Sequence, residues 1–563
     1  MQRSTLDSWE FLPLARWRSM FLIGCSLLGG MGTAPGLPQD ARGAESPAEF
    51  AERITQTTGV ARGFIVHVGC GSGELTGALA FNSGCQVHGL DRDPANVAAA
   101  RASLRAADRY GPVSIDQLRS DGLPYIDDFV NLVVASDLQG VSVDEIRRVL
   151  CPDGVAYIRE GETWTLIRKP RPQDIDDWTH YFHDASGNPV AHDQVVAPPE
   201  RLQWVGSPRW SRHHDRMASM SALVSANGHL YYIMDEGSRV SIQLPSRWQL
   251  IARDAFNGTI LWKRPIAQWH DQMWPLKSGP TQLARRLVAA GTDVYVTLGI
   301  KEPVARLNGT TGETVRTYAG TEATEEILHH DGLLVLLVNP AGSELDEFAP
   351  KLNTGDQGRV ANEFVWNEVP RHVKGIDAQS GRTLWIHTGK VAPLTLCANG
   401  EHVVFHDGER IVSLDRQTGL ERWGTDPAPR RKLIPFHFGP RLVLYQDQVL
   451  YAGGEGRMRS YSAADGKLMW ESEHAPSGYQ SPQDLIVTGG LVWVAPTTSG
   501  RDTGIFKGRD LLSGEVKVEF PPDIETYWFH HRCYIAKATD RFLIQGDCAI
   551  LGHLVKTGIP TRL

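Results

Sequence analysis

The stretch Leu250-Ile-Ala-Arg-Asp-Ala-Phe-Asn-Gly-Thr-Ile-Leu-Trp262 joins an apolar run ending in aspartate to a glycine four residues later and a tryptophan four residues after that. This arrangement returns three times with a tryptophan and twice without one. The complete copies end at Trp385, Trp423 and Trp470, and the weaker copies centre on Gly312 and Gly514. Self-similarity at such a period predicts a repeat architecture built from one supersecondary unit.

The repeat has a simple physical interpretation. Pairs such as Asn257-Gly258 and Asp465-Gly466 are typical of hairpin turns, in which glycine supplies the left-handed backbone conformation. The flanking runs alternate apolar and polar residues as paired strands do. Most intervals between the repeat glycines are close to the roughly 40–50 residues of a four-stranded blade. We therefore predict an all-β propeller of about six to eight blades over residues 204–563, whose tryptophans pack as structural wedges between blades.

These copies resemble the quinoprotein-like (PQQ-like) propeller repeat of large bacterial envelope proteins, which occurs both in quinoprotein dehydrogenases and in non-enzymatic propellers. The resemblance implies a binding platform for a protein or polymer ligand. Dehydrogenases of this class typically carry vicinal cysteines and a calcium site, and no Cys-Cys pair occurs in this sequence. No residue can be assigned to a PQQ site, so a quinone-dependent dehydrogenase is the weakest hypothesis. The pattern vanishes after Asp547, which leaves open whether the ring is complete.

A second pattern lies ahead of the repeats. The apolar run Phe64-Ile-Val-His-Val68 is followed at once by Gly69-Cys70-Gly71-Ser72-Gly73 and then by a predicted helix. The next apolar run ends in Asp91. A strand, a glycine turn and a helix open an α/β Rossmann-like fold, and an acidic residue at the tip of the second strand can accept hydrogen bonds from ribose hydroxyls.

Four segments in order resemble class I S-adenosyl-L-methionine-dependent methyltransferases. They are the glycine loop, Gly89-Leu-Asp-Arg-Asp-Pro94, Phe129-Val-Asn-Leu-Val-Val-Ala-Ser136 and Arg148-Val-Leu-Cys-Pro-Asp-Gly154. The resemblance implies a methyltransferase-like domain over residues 48–168 with S-adenosyl-L-methionine as its cofactor. It implies that the cofactor-binding residues are Gly69, Cys70, Gly71, Ser72, Gly73 and Asp91.

Three departures leave activity open. His67 stands where the family usually has an acidic residue that helps to hold the methionine end of the cofactor, and Asn131 stands where an aspartate is usual before the fourth strand. Pro170-Arg-Pro172 breaks the chain where closing strands are expected, which predicts that the domain stops after the fifth strand. No catalytic residue can be named. A working methyltransferase and a vestigial Rossmann domain on an exported, non-catalytic scaffold both remain as hypotheses.

The N-terminus bears on the same question. Arg16 and Arg18 precede an apolar run, Met20–Met31, followed by small residues, which predicts a signal peptide or N-terminal anchor over residues 1–34 and a linker over 35–47. Any membrane attachment is expected through this segment alone. We predict an exported protein of the periplasm or cell envelope. S-adenosyl-L-methionine is made in the cytoplasm, so a cytoplasmic protein is the alternative that favours turnover.

The connecting segment, residues 169–203, is rich in aromatic residues and histidines. Its histidines and the neighbouring His213 and His214 match no established metal-ligand spacing, so we predict hydrogen-bonded or solvent-facing histidines and no metal site. A formal net charge of −8 gives no basic surface, so nucleic acid is not an expected partner.

Overall fold

The structure of the chain is a computed structural model. It describes residues 45–197, 202–208, 212, 219–241, 243–270, 281–343, 365–434, 439–474, 484–494, 506–520, 536–544 and 561–562. The predicted signal peptide, most of the predicted linker, and His213 and His214 lie outside the described residues. From Pro47 onward the described residues belong to one compact unit. Within the described part of the chain, we find no helix long and apolar enough to cross a bilayer.

The first domain is a six-stranded α/β sheet in the order β3-β2-β1-β4-β5-β6. Its helices are α1 (Pro47–Thr58), α2 (Glu74–Ala78), α3 (Pro94–Ala106) and α4 (Val143–Val149). Its strands are β1 (Gly63–Val68), β2 (Cys85–Asp91), β3 (Val113–Gln117), β4 (Val130–Ala135), β5 (Leu150–Glu160) and β6 (Thr163–Arg168). Strands β1 to β5 are parallel, and β6 is antiparallel to β5. A closing strand therefore does follow the fifth, and it ends just before Pro170.

Local sequence explains where the helices of this domain begin. The Asp93 side chain accepts a hydrogen bond from the Ala95 N–H (2.8 Å), and Pro94 occupies the first turn of α3. Ser142 caps α4 in the same way through the Glu145 N–H (3.1 Å). Two buried cores, one on each face of the sheet, hold the helices, so the carboxyl ends of the strands are fixed in place.

Seven four-stranded sheets follow within the described residues. The first contains β8 (Met220–Ala226), β9 (His229–Asp235), β10 (Trp248–Asp254) and β11 (Ile260–Pro265). The second contains β12 (Leu287–Ala290), β13 (Asp293–Thr297), β14 (Val304–Asn308) and β15 (Thr314–Thr317), preceded by α5 (Thr281–Ala284). The third contains β16 (Thr324–His330), β17 (Leu333–Val338), β18 (Arg371–Asp377) and β19 (Thr383–Gly389). The residues that lengthen the interval between Gly312 and Gly381 lie between β17 and β18.

The remaining sheets repeat the pattern. The fourth contains β20 (Cys397–Ala398), β21 (His402–His406), β22 (Ile411–Asp415) and β23 (Glu421–Gly424). The fifth contains β24 (Arg441–Tyr445), β25 (Gln448–Ala452), β26 (Arg457–Ser462) and β27 (Leu468–Glu473), and the sixth contains β28 (Ile486–Thr488), β29 (Leu491–Val494), β30 (Phe506–Asp510) and β31 (Val516–Phe520). The seventh combines β32 (Lys537–Thr539), β33 (Phe542–Ile544) and β34 (Thr561–Arg562) with β7 (Val190–Ala191) from the connecting segment.

Sheets one to six are antiparallel meanders in chain order, and in most neighbouring pairs their first strands contact each other. The first strand of each sheet is therefore innermost, as in a β-propeller. In the seventh sheet β7 pairs in parallel with β32. The predicted fold class, a Rossmann-like domain followed by a propeller of about six to eight blades, is confirmed.

Candidate functional site

The glycine loop follows β1 at the carboxyl edge of the first sheet, and its three glycines have different surroundings. All three have positive φ: Gly69 (71°), Gly71 (52°) and Gly73 (81°). A Cβ at Gly69 would meet the Asp137 backbone (2.7 Å), and one at Gly73 would meet the Ala100 side chain in α3 (2.8 Å). A Cβ at Gly71 would meet nothing within 4 Å. The outer glycines thus permit close packing, whereas Gly71 opens onto space that a ligand can approach.

Asp91 ends β2 and is tied to this loop. One carboxylate oxygen accepts the Gly71 N–H (2.9 Å), and the other accepts the Asp93 N–H (3.0 Å) and the Asn96 side-chain amide (3.2 Å). Burial would raise the pKa of Asp91, but these hydrogen bonds outweigh it and hold the pKa below its usual range. Asp91 is therefore an anion that fixes the loop, with only 1% of its surface exposed.

His67, in β1 beneath the loop, is part of a buried polar chain. Its Nδ1 lies 2.8 Å from Thr76 Oγ1, and its Nε2 lies 2.8 Å from Ser136 Oγ at the end of β4. Burial lowers the pKa of His67 to about 4, against a smaller opposing effect of Asp91, so the ring is neutral at pH 7. The position that is usually acidic in the family is therefore uncharged here, and its ring makes two internal hydrogen bonds. Thr76 and Ser136 belong to this hydrogen-bonded chain, and the sequence patterns did not reveal them.

The other two predicted site residues differ in exposure. Ser72 is exposed at the tip of the loop, whereas Cys70 is buried. Burial, together with the nearby Asp91 carboxylate, raises the pKa of the Cys70 thiol to about 12. Cys70 therefore contributes packing and its backbone to the loop and no reactive thiolate.

A cleft of about 570 Å³ borders the site on the β3 side. Leu90, directly before Asp91, lines it together with Gln117 and His88. The His88 ring connects the Tyr125 hydroxyl (Nδ1, 2.7 Å) with the Asp116 carboxylate (Nε2, 3.2 Å). The cleft therefore lies beside Leu90 at β2 and β3, and its lining includes neither Asp91 nor the glycine loop.

The structure places Asn131 at the amino end of β4, far from the carboxyl edge that carries the glycine loop. Its side chain donates to the Asp254 carboxylate (2.7 Å) and accepts from the Asn257 amide (2.8 Å), both in the turn that joins β10 to β11. Arg62, ahead of β1, donates to the Leu261 carbonyl (2.6 Å). The first propeller sheet therefore packs on the amino edge of the Rossmann sheet. An aspartate at 131 would face the Asp254 carboxylate, which explains the asparagine without reference to the cofactor.

The repeat tryptophans lie between sheets. Trp262, Trp385, Trp423 and Trp470 are 7–8% exposed. Each indole N–H donates to a carbonyl of the following sheet, and each ring covers the turn glycine of that sheet, so that a Cβ there would lie about 2.6 Å from the ring. The carbonyls belong to Gly309 (2.8 Å), Arg416 (2.9 Å), Ala463 (2.8 Å) and Leu511 (2.9 Å) in the same order.

Two further residues occupy this wedge position. Trp204, which precedes the first sheet, donates to the Ala255 carbonyl (2.9 Å) and covers Gly258. In the second sheet, where the tryptophan is lost, the Arg316 side chain covers Gly381 instead. The wedge is therefore a position in the fold that a long arginine can also fill.

The connecting segment runs along the inner strands of the propeller. His180 accepts the His329 N–H through Nε2 (3.0 Å), and His183 pairs with Asp176 (2.8 Å). His192 reaches Asp540 in the turn between β32 and β33 (3.1 Å). Phe182 is buried, with the Arg441 guanidinium 3.4 Å from its ring centre. Among the described residues no group of three or more potential metal ligands occurs.

Two family models match the chain. Residues 66–158, from β1 to β5, match the family described as methyltransferase domain, and residues 370–519, from β18 to β31, match the family described as outer membrane protein assembly factor BamB. The chain joins a methyltransferase domain to a BamB-like propeller. No curated protein matches its sequence.

Solved structures resemble each domain separately. A protein from Methanococcus maripaludis assigned as an S-adenosyl-L-methionine-dependent methyltransferase is 26% identical over 20% of this chain and 54% of its own, with a TM-score of 0.19. BamB from Moraxella catarrhalis is 13% identical over 57% of this chain and 77% of its own (TM-score 0.36). Quinohemoprotein alcohol dehydrogenase from Comamonas testosteroni is 12% identical over 66% and 70% (TM-score 0.42). The chain spans about half the length of the first of these.

Proposed function

We propose that the methyltransferase domain binds S-adenosyl-L-methionine at the carboxyl edge of β1 and β2. The observation that carries the proposal is the pairing of Gly71 with Asp91. Gly71 faces open space where a side chain would otherwise project, and its N–H is held by the carboxylate that the family uses for the ribose. The cleft beside Leu90 gives room for the rest of an adenosine group.

The bound cofactor would supply an electrophilic methyl group, and the chain would supply position. Gly71 allows close approach, Asp91 accepts from the ribose hydroxyls, and Ser136 presents a hydroxyl at the end of β4. Methyl transfer depends mainly on aligning nucleophile and methyl group, so the mechanism needs no further charged residue. A neutral His67 attracts the ammonium group at the methionine end of the cofactor less strongly than a carboxylate would. We therefore expect weaker cofactor binding than with an acidic residue at this position.

Calorimetric titration of the whole chain with S-adenosyl-L-methionine and with S-adenosylhomocysteine tests this proposal. Gly71→Ala should abolish binding because it fills the open space and strains a positive φ. Gly59→Ala is the matched control, since Gly59 also has positive φ (75°) and no neighbour within 4 Å of a built Cβ, but it lies ahead of β1 at the far side of the domain. No heat from the folded parent at high micromolar ligand would overturn the proposal.

A specific observation favours a second candidate, a non-catalytic scaffold with a vestigial cofactor site. The Asp91 carboxylate already accepts three hydrogen bonds within the chain and is almost fully buried. In that case Asp91→Ala would lower the melting temperature, while the parent would bind neither ligand. A quinone-dependent dehydrogenase remains the weakest hypothesis, because the vicinal cysteines of that class do not occur in the sequence.

For the propeller we propose a binding role in the cell envelope. The support is the family match of residues 370–519, described as a BamB assembly factor of the outer membrane. The propeller packs on the amino edge of the Rossmann sheet, so a ligand on its other surfaces leaves the carboxyl edge accessible. Cell fractionation with N-terminal sequencing tests the location. A cytoplasmic protein that retains Met1 would contradict export and would favour methyl transfer.

A further inference from the structure

The residues Trp178–Val190, here called the axial segment, contact the innermost strand of every described propeller sheet. Each sheet makes at least one hydrogen bond in which a strand N–H donates to the segment. The donors and acceptors are Ser225 to the Trp178 carbonyl (2.7 Å), Ala289 to Thr179 (3.0 Å), His329 to His180 Nε2 (3.0 Å), Ala398 to Ala185 (2.8 Å), Leu444 to Ser186 (2.9 Å), Val487 to Asn188 Oδ1 (2.9 Å) and Ala538 to Pro189 (3.0 Å).

The order of these contacts is collinear with the chain. The first acceptor, Trp178, serves the first sheet, and the last acceptor, Pro189, serves the seventh, with no inversion between them. A segment that only occupied the central channel would also contact every sheet, but its contacts would not have to follow the order of the sheets in the chain. The axial segment also precedes the first six sheets in sequence, and its last residue, Val190, begins β7 of the seventh sheet, so the segment leaves the ribosome before the strands that dock on it.

The segment is enclosed tightly enough to specify the spacing of the sheets. Gly187 has a positive φ (78°), and a Cβ there would lie 2.8 Å from both Cys397 Sγ and the Leu442 carbonyl oxygen. The guanidinium groups of Arg441 and Arg285 lie 3.4 and 5.6 Å from the ring centre of Phe182. These contacts fix the axial segment against sheets that are far apart in sequence.

We propose that the axial segment is an assembly template on which the propeller sheets dock in chain order. Closing a ring from one chain requires contacts between distant residues, and the loop-closure entropy of such contacts slows folding. The Asn188–Val487 pair, for example, spans 299 residues. A template that precedes these strands in the chain gives each inner strand its partner as that strand is made, so docking does not wait for the last sheet.

The proposal separates folding rates from unfolding rates. Asn188→Ala removes two hydrogen bonds, one to each backbone group of Val487 (2.9 Å each). If the contact forms early, the substitution slows refolding by the full change in the equilibrium constant and leaves the unfolding rate within about twofold of the parent. If the segment inserts late, refolding is unchanged and unfolding accelerates by about the full factor instead.

Trp470→Phe is the control, because it removes one buried side-chain hydrogen bond to a backbone group (2.9 Å), against two for Asn188→Ala, and lies in an outer strand. The Trp470→Phe substitution should accelerate unfolding. The decisive experiment is stopped-flow or manual-mixing unfolding of full-length protein purified in its folded state, so it does not require efficient refolding. If Asn188→Ala does not accumulate, Phe182→Leu tests the same segment. An unfolding rate raised about tenfold in the axial variant overturns the template.

Discussion

The Asn131 amide donates to the Asp254 carboxylate across 2.7 Å, joining the amino end of β4 to the first repeat turn of the propeller. In that turn the other Asp254 oxygen accepts the N–H groups of Phe256 (2.8 Å) and Asn257 (2.9 Å). Burial raises the pKa of Asp254, although these hydrogen bonds oppose the rise. A capping aspartate of the repeat is thus reused as an acceptor for the preceding domain.

The substitution Asn131→Asp should weaken this junction in a pH-dependent way. A partly buried carboxylate at position 131 would face the buried Asp254 carboxylate, at a cost of roughly 3 kcal/mol when both are charged. As the pH falls, one of them binds a proton and again supplies a donor, so the melting temperature should recover towards that of the parent. Thermal melts between pH 5 and 8 measure this. Asn131→Ala, which adds no charge, is the control and should show a smaller dependence on pH over the same range, because only the Asp254 carboxylate then loses its donor.

Replacing the wedge tryptophans should destabilise the protein. Trp262, Trp385, Trp423 and Trp470 are nearly buried, so truncation to alanine should cost about 3–5 kcal/mol each. Trp204→Ala should lower the melting temperature as well, although Trp204 stands outside the repeats, because it covers Gly258 in the same manner. Melts of the single variants test this. Parent-like melting of most variants would favour an exposed aromatic binding face instead.

The ion pair of His183 predicts a loss of stability at alkaline pH. Burial alone would lower the pKa of His183, but Asp176 and Asp184 outweigh it and raise the pKa to about 9. This stabilisation is complete below the pKa of an unfolded histidine and is lost as the pH rises through about 9. The difference corresponds to about 3 kcal/mol. His183→Gln should flatten the decline of the melting temperature between pH 7 and 10, and an unchanged decline would assign it to other groups.

The Cys70 thiol should resist alkylation in the folded protein. Burial raises its pKa to about 12, so almost no thiolate is present at pH 8. Iodoacetamide treatment followed by peptide mass spectrometry should leave Cys70 unmodified until denaturant is added. Cys397, whose pKa burial also raises to about 12, is an internal comparison in the propeller. Rapid labelling of Cys70 alone would mean that the glycine loop opens in solution.

Sequence predicted those features that rest on local chemistry. The turn glycines have φ values between 69° and 75°, and the tryptophans after them are buried as their regular spacing indicated. The glycine loop and Asp91 likewise lie together, because the tips of adjacent parallel strands meet at one edge. Such features repeat or follow from strand topology, so a pattern in the sequence reveals them.

Features that rest on long-range contacts were not predictable in this way. The axial segment binds the inner strands mostly through backbone carbonyls, which every residue has, so its composition gave no sign of its path. Asn131 meets a partner 123 residues away, and its departure from the family pattern pointed to the cofactor instead. Trp204 could have been found, since Leu202 stands two residues before it, as the apolar Ile260 and Leu468 stand two residues before Trp262 and Trp470. Arg316 at a wedge position carries no comparable signal.

The placement of the axial segment also bears on how such a protein can evolve. In sequence it lies between the two domains, but in space it lies inside the second. A genetic crossover at the apparent boundary after Arg168 would transfer a propeller together with its axis, whereas one just before Trp204 would transfer the sheets without that axis and without β7 of the seventh sheet. The Asn131–Asp254 contact would be lost in either exchange. We therefore expect the two domains to be inherited together. Related propellers without the first domain should carry another segment in place of the axial segment.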